Sequence, residues 1–247
     1  MRLIALCFIV LLNIQLRSQG FDFYPKSTDK CELVSHSYYK LCYSEKDEQP
    51  EWVAYMLTSD MVRNSNCKRS NNFRADAKVT TGSATPADYK NSGYDKGHMC
   101  PAGDMGFNCT AMSETFFMSN MSPQLPGFNR GIWKKLEELV RSWADAYDTI
   151  YVVTGPVLNG ESTGRIGENN VTVPKYYYKV VYKKTSSGGT CIALLLPNEA
   201  SYNTLQNYVI SVDSLEKLTQ IDFFPVLPDN IENVIENKLN TEEWKFK

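Results

Sequence analysis

At 247 residues, with 43% hydrophobic and 22% charged side chains, the chain has the balance of a globular protein, which excludes collagen-like, coiled-coil and low-complexity architectures. Its formal net charge of −2 gives no global sign of a polyanionic partner. The distribution says more: Met61 to Gly103 carries seven basic against three acidic residues, whereas Asp213 to Lys247 carries eight acidic against four basic. A polyanion should bind the first region and avoid the tail, although on charge alone a solvated polar surface explains the pattern equally well.

In chain order, Arg2 leads into an apolar run from Leu3 to Leu12, and the small residues Ser18 and Gly20 follow. This is the pattern of a secretory signal peptide, residues 1–20, cleaved after Gly20. The run is too short to cross a bilayer, which needs about 20 apolar residues. The mature chain, 21–247, is thus expected to be exported to a periplasmic or extracellular space, with no membrane segment and as a single domain. Arg2 and Arg17 leave with the leader, so 24 basic face 28 acidic residues and the formal charge becomes −4.

Trp52 to Thr58 reads as a strand, and the polar stretch from Ser59 to Gly93 as a long irregular excursion, a kind of segment that usually serves function. From Phe128 to Tyr147 the apolar positions Phe128, Ile132, Leu136, Val140, Trp143 and Tyr147 recur every three or four residues, which predicts a helix after the Pro126-Gly127 break. Thr149 to Leu158, Lys175 to Lys184 and Thr190 to Pro197 read as strands, the last two joined as a hairpin through Ser186 to Gly189. Helical patterns follow at Glu199 to Ser211 and Pro228 to Leu239. The order predicts an α+β protein built on a sheet.

Cys7 belongs to the leader, and the other six cysteines, Cys31, Cys42, Cys67, Cys100, Cys109 and Cys191, are an even number in an exported chain. Up to three disulfides are expected, with 15 possible pairings. With no CxxC pair and only two histidines, a Cys/His zinc site is excluded.

Imidazole chemistry can draw only on His36 and His98. His36 lies in an aromatic stretch outside any acidic or amide cluster, so its replacement should leave catalysis nearly unchanged. His98 lies in YDKGHMCPAGDM, where Gly97 would let the backbone turn sharply, Asp95 could orient the ring and Lys96 could meet an anion. Locally, a catalytic base and a core histidine held by backbone are equally good readings. A second cluster, FMSNMSPQ followed by GFNRGIWKKLE, favours chemistry. On a regular helix Asn129 falls in the apolar sector and needs partners there, either as a helix N-cap or as a ligand. Glu137 lies eight residues on, about 12 Å along a helix, so both could serve one ion only if the Glu acts through water, which Mg²⁺ tolerates.

The motifs DKGHMCP, SNMSPQ, GFNRGIWKKLE and VVTGPV together resemble the DNA/RNA non-specific endonucleases, the ββα-metal or His-Me finger family that includes Serratia nuclease and endonuclease G. The resemblance runs from about Trp52 to Val157, and more weakly through IDFFPVLPDNIE. It implies a central antiparallel sheet flanked by helices, with His98 as general base and Asn129 as the direct protein ligand of Mg²⁺, with Mn²⁺ or another divalent cation as substitutes. It further implies that Glu137 acts on the metal through water, that Asn120 supports the site and that Arg141 faces phosphate. The products would carry 5′-phosphates. Lys96 stands where the family has Arg, keeping the charge but losing the bidentate fork. The family's upstream arginine corresponds to Arg69 or Arg74, with Arg69 preferred.

The implied function is an exported endonuclease acting on DNA and/or RNA through phosphate contacts, with little sequence preference because no named residue reads a base edge. Two rivals stand beside it: a non-catalytic nucleic-acid-binding protein on the same fold, and a cysteine hydrolase using Cys100 with His98. The Tyr/Lys alternation of KYYYKVVYKK fits a half-buried strand better than a base-stacking surface. Asn108, Asn120 and Asn170 open glycosylation sequons, of which Asn120 is read as chance.

Overall fold

The computed structural model describes residues 23–26, 31–160, 162–186, 188–239 and 241–246. The signal-peptide expectation for residues 1–20 lies outside the described residues. In chain order the elements are β1 (Glu32–Ser35), β2 (Tyr39–Ser44), β3 (Gln49–Thr58), α1 (Ser59–Arg63), β4 (Asp95–His98), α2 (Cys109–Glu114), β5 (Met121–Gln124) and α3 (Lys134–Tyr147). They continue with β6 (Thr149–Pro156), β7 (Ser162–Ile166), β8 (Val171–Pro174), β9 (Tyr176–Lys183), β10 (Thr190–Pro197), β11 (Val209–Ile210), α4 (Val212–Thr219) and α5 (Asp229–Glu236). Seven strands form one antiparallel sheet in the order β1-β2-β3-β6-β9-β10-β11.

Strand alternation divides the core into two layers. Val53, Tyr55 and Leu57 of β3 join Leu136, Leu139, Val140 and Trp143 of α3, while Trp52 and Ala54 join Val212 and Leu215 of α4 and Ile235 of α5. With helices on both faces, the central strands read as near-continuous apolar runs. This corrects the expectation of a half-buried β9: from Tyr177 to Lys183 every residue is buried, and only Tyr176 is exposed.

The expected strands fall where the sequence puts them, while the excursion expected from Ser59 starts only after α1 (Ser59–Arg63), and two helices differ. The segment Phe128–Trp133 is wound as a wide π-type turn, with a non-helical kink at Gly131 (φ −105°, ψ −109°), so the regular helix begins only at Lys134. The helix expected at Glu199 to Ser211 is absent; a 3₁₀ turn (Leu205–Tyr208) and β11 stand there, and α4 follows with Ser211 as its N-cap. Apolar spacing over so short a stretch does not distinguish a helix from a turn followed by an edge strand.

The excursion after α1 has neither helix nor strand up to β4 apart from a single bridge, Arg74 to Phe117, and is fixed by side chains instead. Cys67–Cys109 ties it to α2, and Cys31–Cys42 closes the β1–β2 end. Cys100 and Cys191 are free and buried, so the expected third bridge is not formed. His36 is structural: its Nε2 meets Asp76 Oδ2 at 2.9 Å in the core, and Ser119 Oγ donates to the same oxygen.

Burial alone would raise Asp76, but the hydrogen bonds from His36, Ser119 and the Lys78 amide outweigh it and hold the carboxyl below its ordinary value. The stabilisation from a depressed carboxylate is complete above its unfolded value and is lost as pH falls through its folded one. Replacing His36 with Ala leaves Asp76 buried without its main partner and should remove about 3–5 kcal/mol of stability. Denaturant unfolding should show that loss, and acid unfolding should move to higher pH. An unchanged midpoint in both would refute the clamp. For the chain from residue 21 onward, thiol titration in denaturant without reductant should give two reactive thiols, and the same chain in its native state none.

Candidate active site

β4 and β5 form a two-stranded antiparallel ribbon with Asp95 opposite Gln124, Lys96 opposite Pro123, Gly97 opposite Ser122 and His98 opposite Met121. The chain then passes through the wide turn into α3, so ribbon and helix together make a ββα unit against the sheet. Gly97 is extended rather than turned. Glycine is required because a Cβ there would lie 2.2 Å from the Gln124 side chain. Behind His98, the Asn120 side chain accepts from the Cys100 amide (2.8 Å) and donates to the carbonyls of Cys100 (2.9 Å) and Thr115 (2.8 Å). Asn120 is fully buried, outside the cleft, and pins the loop that leaves the histidine.

A cleft of about 400 Å³ opens between ribbon and helix, and it is lined by Arg69, Lys96, His98, Asn129, Glu137 and Arg141 among others. Of the seven site residues expected from sequence, all but Asn120 line this cleft, and of the two candidates for the upstream arginine it takes Arg69. Arg74 is not among the lining residues: its guanidinium donates to Ser113 O and stacks 3.8 Å over Phe117. Arg69 lies 4.8 Å over the Phe116 ring.

His98 is packed edge-on against Phe73 and Phe116. Its Nε2 is buried without a hydrogen-bond partner, and the residue lines the cleft. Burial, aided by the Arg69 charge, lowers its pKa to about 3, so the ring is neutral at physiological pH. Asp95 does not orient this ring. It accepts from Asn129 Nδ2 (2.9 Å) and from Arg130 Nε and Nη2 (2.8 and 2.6 Å). Asn129 is thus no N-cap, and it is half-exposed in the cleft rather than on the apolar stripe; Gly127 stands at the start of the turn and makes no side-chain cap. Because Asp95 takes the amide NH₂, the Asn129 carbonyl oxygen is left as its free acceptor.

Glu137 is half-buried in the cleft wall, with its carboxyl shielded from water. That burial, opposed by Lys179 and reinforced by Asp104, raises it above the ordinary carboxylate range. Arg141 Nη1 donates to the buried Asp104 (2.7 Å), whose other oxygen accepts from Tyr55 (2.7 Å). Burial works against the Arg141 charge, yet Asp104 more than compensates. Cys100 is fully buried and desolvation pushes its thiol up, which overturns the cysteine-hydrolase reading.

Sequence reasoning missed three contributors. Arg130 and Lys134 also line the cleft; Lys134, Glu137 and Arg141 share one face of α3 at three- and four-residue spacing, and Arg130 joins them from the wide turn. Lys179 is a fully buried cation 4.8 Å over the Trp133 ring. The period of two on β9 puts it on the α3 side of the sheet, but nothing in KYYYKVVYKK marks it apart from its neighbours.

Residues 18–230 match the family described as DNA/RNA non-specific endonuclease. A nuclease from Nostoc sp. is 35% identical over 87% of this chain and 81% of its own length, and human mitochondrial endonuclease G is 31% identical over 78% and 70%. Among solved structures, EndoG in its complex with EndoGI superposes with a TM-score of 0.74 at 32% identity, covering 79% of this chain and 86% of that one.

The glycine requirement has a direct test. Gly97→Ala should force the Gln124 side chain aside, lower stability by about 1–3 kcal/mol and displace the neighbouring His98. A melting temperature equal to that of the wild type would show that the ribbon tolerates a Cβ there.

Proposed function

This chain belongs to the DNA/RNA non-specific endonuclease family, whose members are hydrolytic enzymes, and on that footing we propose that His98, Asn129, Glu137 and the surrounding cations are its catalytic apparatus. The observation that carries the reading is the meeting, in one cationic cleft, of a neutral imidazole with an amide whose carbonyl oxygen is turned free.

The donor set fits a hard divalent cation. The free amide oxygen of Asn129 and the Glu137 carboxylate offer oxygen alone, which suits Mg²⁺ or Mn²⁺ better than a thiolate-seeking metal. Asn129 would hold the ion directly and Glu137 through water. When bound, the ion supplies positive charge against the charge that develops on the phosphate and the departing oxygen.

The chain's own residues do the rest. His98 takes a proton at Nδ1 from the attacking water, for which its neutral form is required. Arg69, Lys96 and Arg141 bind and orient the phosphodiester, and Arg130 and Lys134 extend the positive track along the backbone. Asp104 fixes Arg141, and Asn120 holds the loop behind His98, so the two act by positioning. The cleft cations are groups suited to phosphate rather than to base edges, a reading under which DNA and RNA alike are substrates. Export is supported by the leader pattern and the two disulfides.

His98→Ala should lower cleavage of plasmid DNA and of RNA by about 10²–10⁴-fold while leaving the fold and DNA binding intact. Turnover within a few-fold of wild type would sink the assignment. EDTA should abolish activity, and Mg²⁺ or Mn²⁺ should restore it. Asn129→Ala should resist that rescue, whereas Glu137→Ala should cost less. Asp95→Asn, which frees the Asn129 amide to rotate, should weaken the metal requirement's affinity by about 10–100-fold. An unchanged metal titration in that variant would separate Asp95 from the ion.

A further inference from the structure

We propose that Asp213, Glu216 and Glu236 form a second cation site, structural rather than catalytic, for a Ca²⁺-class ion on the sheet face opposite the cleft. One carboxylate oxygen from each lies within 4.8 Å of the other two. Asp213 and Glu216 are one turn apart on α4, and Glu236 is the last residue of α5. The apolar sides of these helices, Val212 and Leu215 on one and Ile235 on the other, pack in the same core layer, so the three acids are held together by the fold.

The independent sign of a ligand is Glu236. It is 4% exposed, and its Oε1 is buried with no hydrogen-bond partner among the described residues. A carboxylate cut off from water without a donor is unfavourable. Its position adds to this, because the end of a helix presents the negative pole of the backbone dipoles and repels an acid. Asp222 and Glu232 contribute further negative charge, and no Lys or Arg forms an ion pair with any of these groups among the described residues. Glu216 is pre-oriented, since its Oε1 accepts the Phe223 amide at 3.0 Å.

An all-oxygen donor set of three carboxylates on two helices suits Ca²⁺, which takes six to eight oxygens in flexible geometry. The ion would bind α4 to α5 and hold both on the sheet. The active-site cleft lies on the α3 side, so the two sites are separable.

The test is calorimetric titration of Ca²⁺ into EDTA-stripped protein, wild type and Asp213→Asn/Glu236→Gln, with thermal melts of each. The wild type should bind one more Ca²⁺ per chain than the variant. Its Tm should rise by about 5–10 °C once Ca²⁺ is about a hundredfold above Kd, and the variant should lack that rise. In EDTA the variant should melt at or above the wild type, because like charges have been removed, and it should cleave DNA at the wild-type rate with Mg²⁺. Equal stoichiometry and equal Tm response in the two proteins would overturn the proposal, as would a wild type with no Ca²⁺ response. A variant that melts lower in EDTA would also overturn it, by showing that the acids stabilise the fold without a cation.

Discussion

The hydrogen bond from Asn129 to Asp95 is the constraint on which the geometry of the cleft depends. Asp95 stands on the ribbon three residues before His98, and Asn129 stands on the wide turn ahead of α3, so this bond sets the imidazole and the amide in one frame. A carboxylate only accepts, so it selects the NH₂ of the amide and turns the carbonyl the other way. Arg130 grips both oxygens of the same carboxylate and stops it from swinging. The carboxyl of Asp95 is opposed by burial, yet its Arg130 and Asn129 partners hold it below its ordinary value and keep it in the accepting form.

Around that frame the charges are sorted by function. The chain is acidic overall, yet Arg69, Lys96, Arg130, Lys134 and Arg141 face a cleft whose one lining carboxylate is Glu137. The acids that neutralise these cations sit behind them: Asp95 under Arg130, and Asp104 under Arg141. Such pairs fix the direction of a guanidinium while its outer face stays positive. Net charge is therefore a poor guide to this protein's partner, because the local field is made by a few residues drawn from three distant segments.

The histidines and cysteines show how one residue type serves different ends. His98 and His36 are both buried among aromatic rings, each with one unpartnered ring nitrogen, but the other nitrogen of His36 is closed onto Asp76 whereas His98 lines the cleft. Of the six cysteines after Cys7, four are bridged, the fully buried Cys42 among them, while Cys100 and Cys191 behave as small apolar side chains in the core. Counting cysteines yields an upper limit on bridges, since pairing also needs two Cα atoms brought close together.

The sequence by itself determined the family, the sheet strands of the second half and the amphipathic face of α3, and it singled out His98, Asn129, Glu137 and Arg141, which line one cleft, because these are written in local spacing and in motif order. It left Arg69 and Arg74 unresolved, took Gly97 for a turn and assigned Asp95 to the wrong partner. It also passed over Arg130, Lys134 and Lys179. Each of those depends on a contact between residues far apart in the chain: Gln124 over Gly97, Asn129 against Asp95, Trp133 above Lys179. The kink at Gly131 likewise moves Asn129 off the regular helix on which the spacing argument rests. Periodicity reports which face a residue occupies within its own element. What meets that face is decided by how the ribbon, the wide turn and the sheet pack together, and only the tertiary structure holds that information.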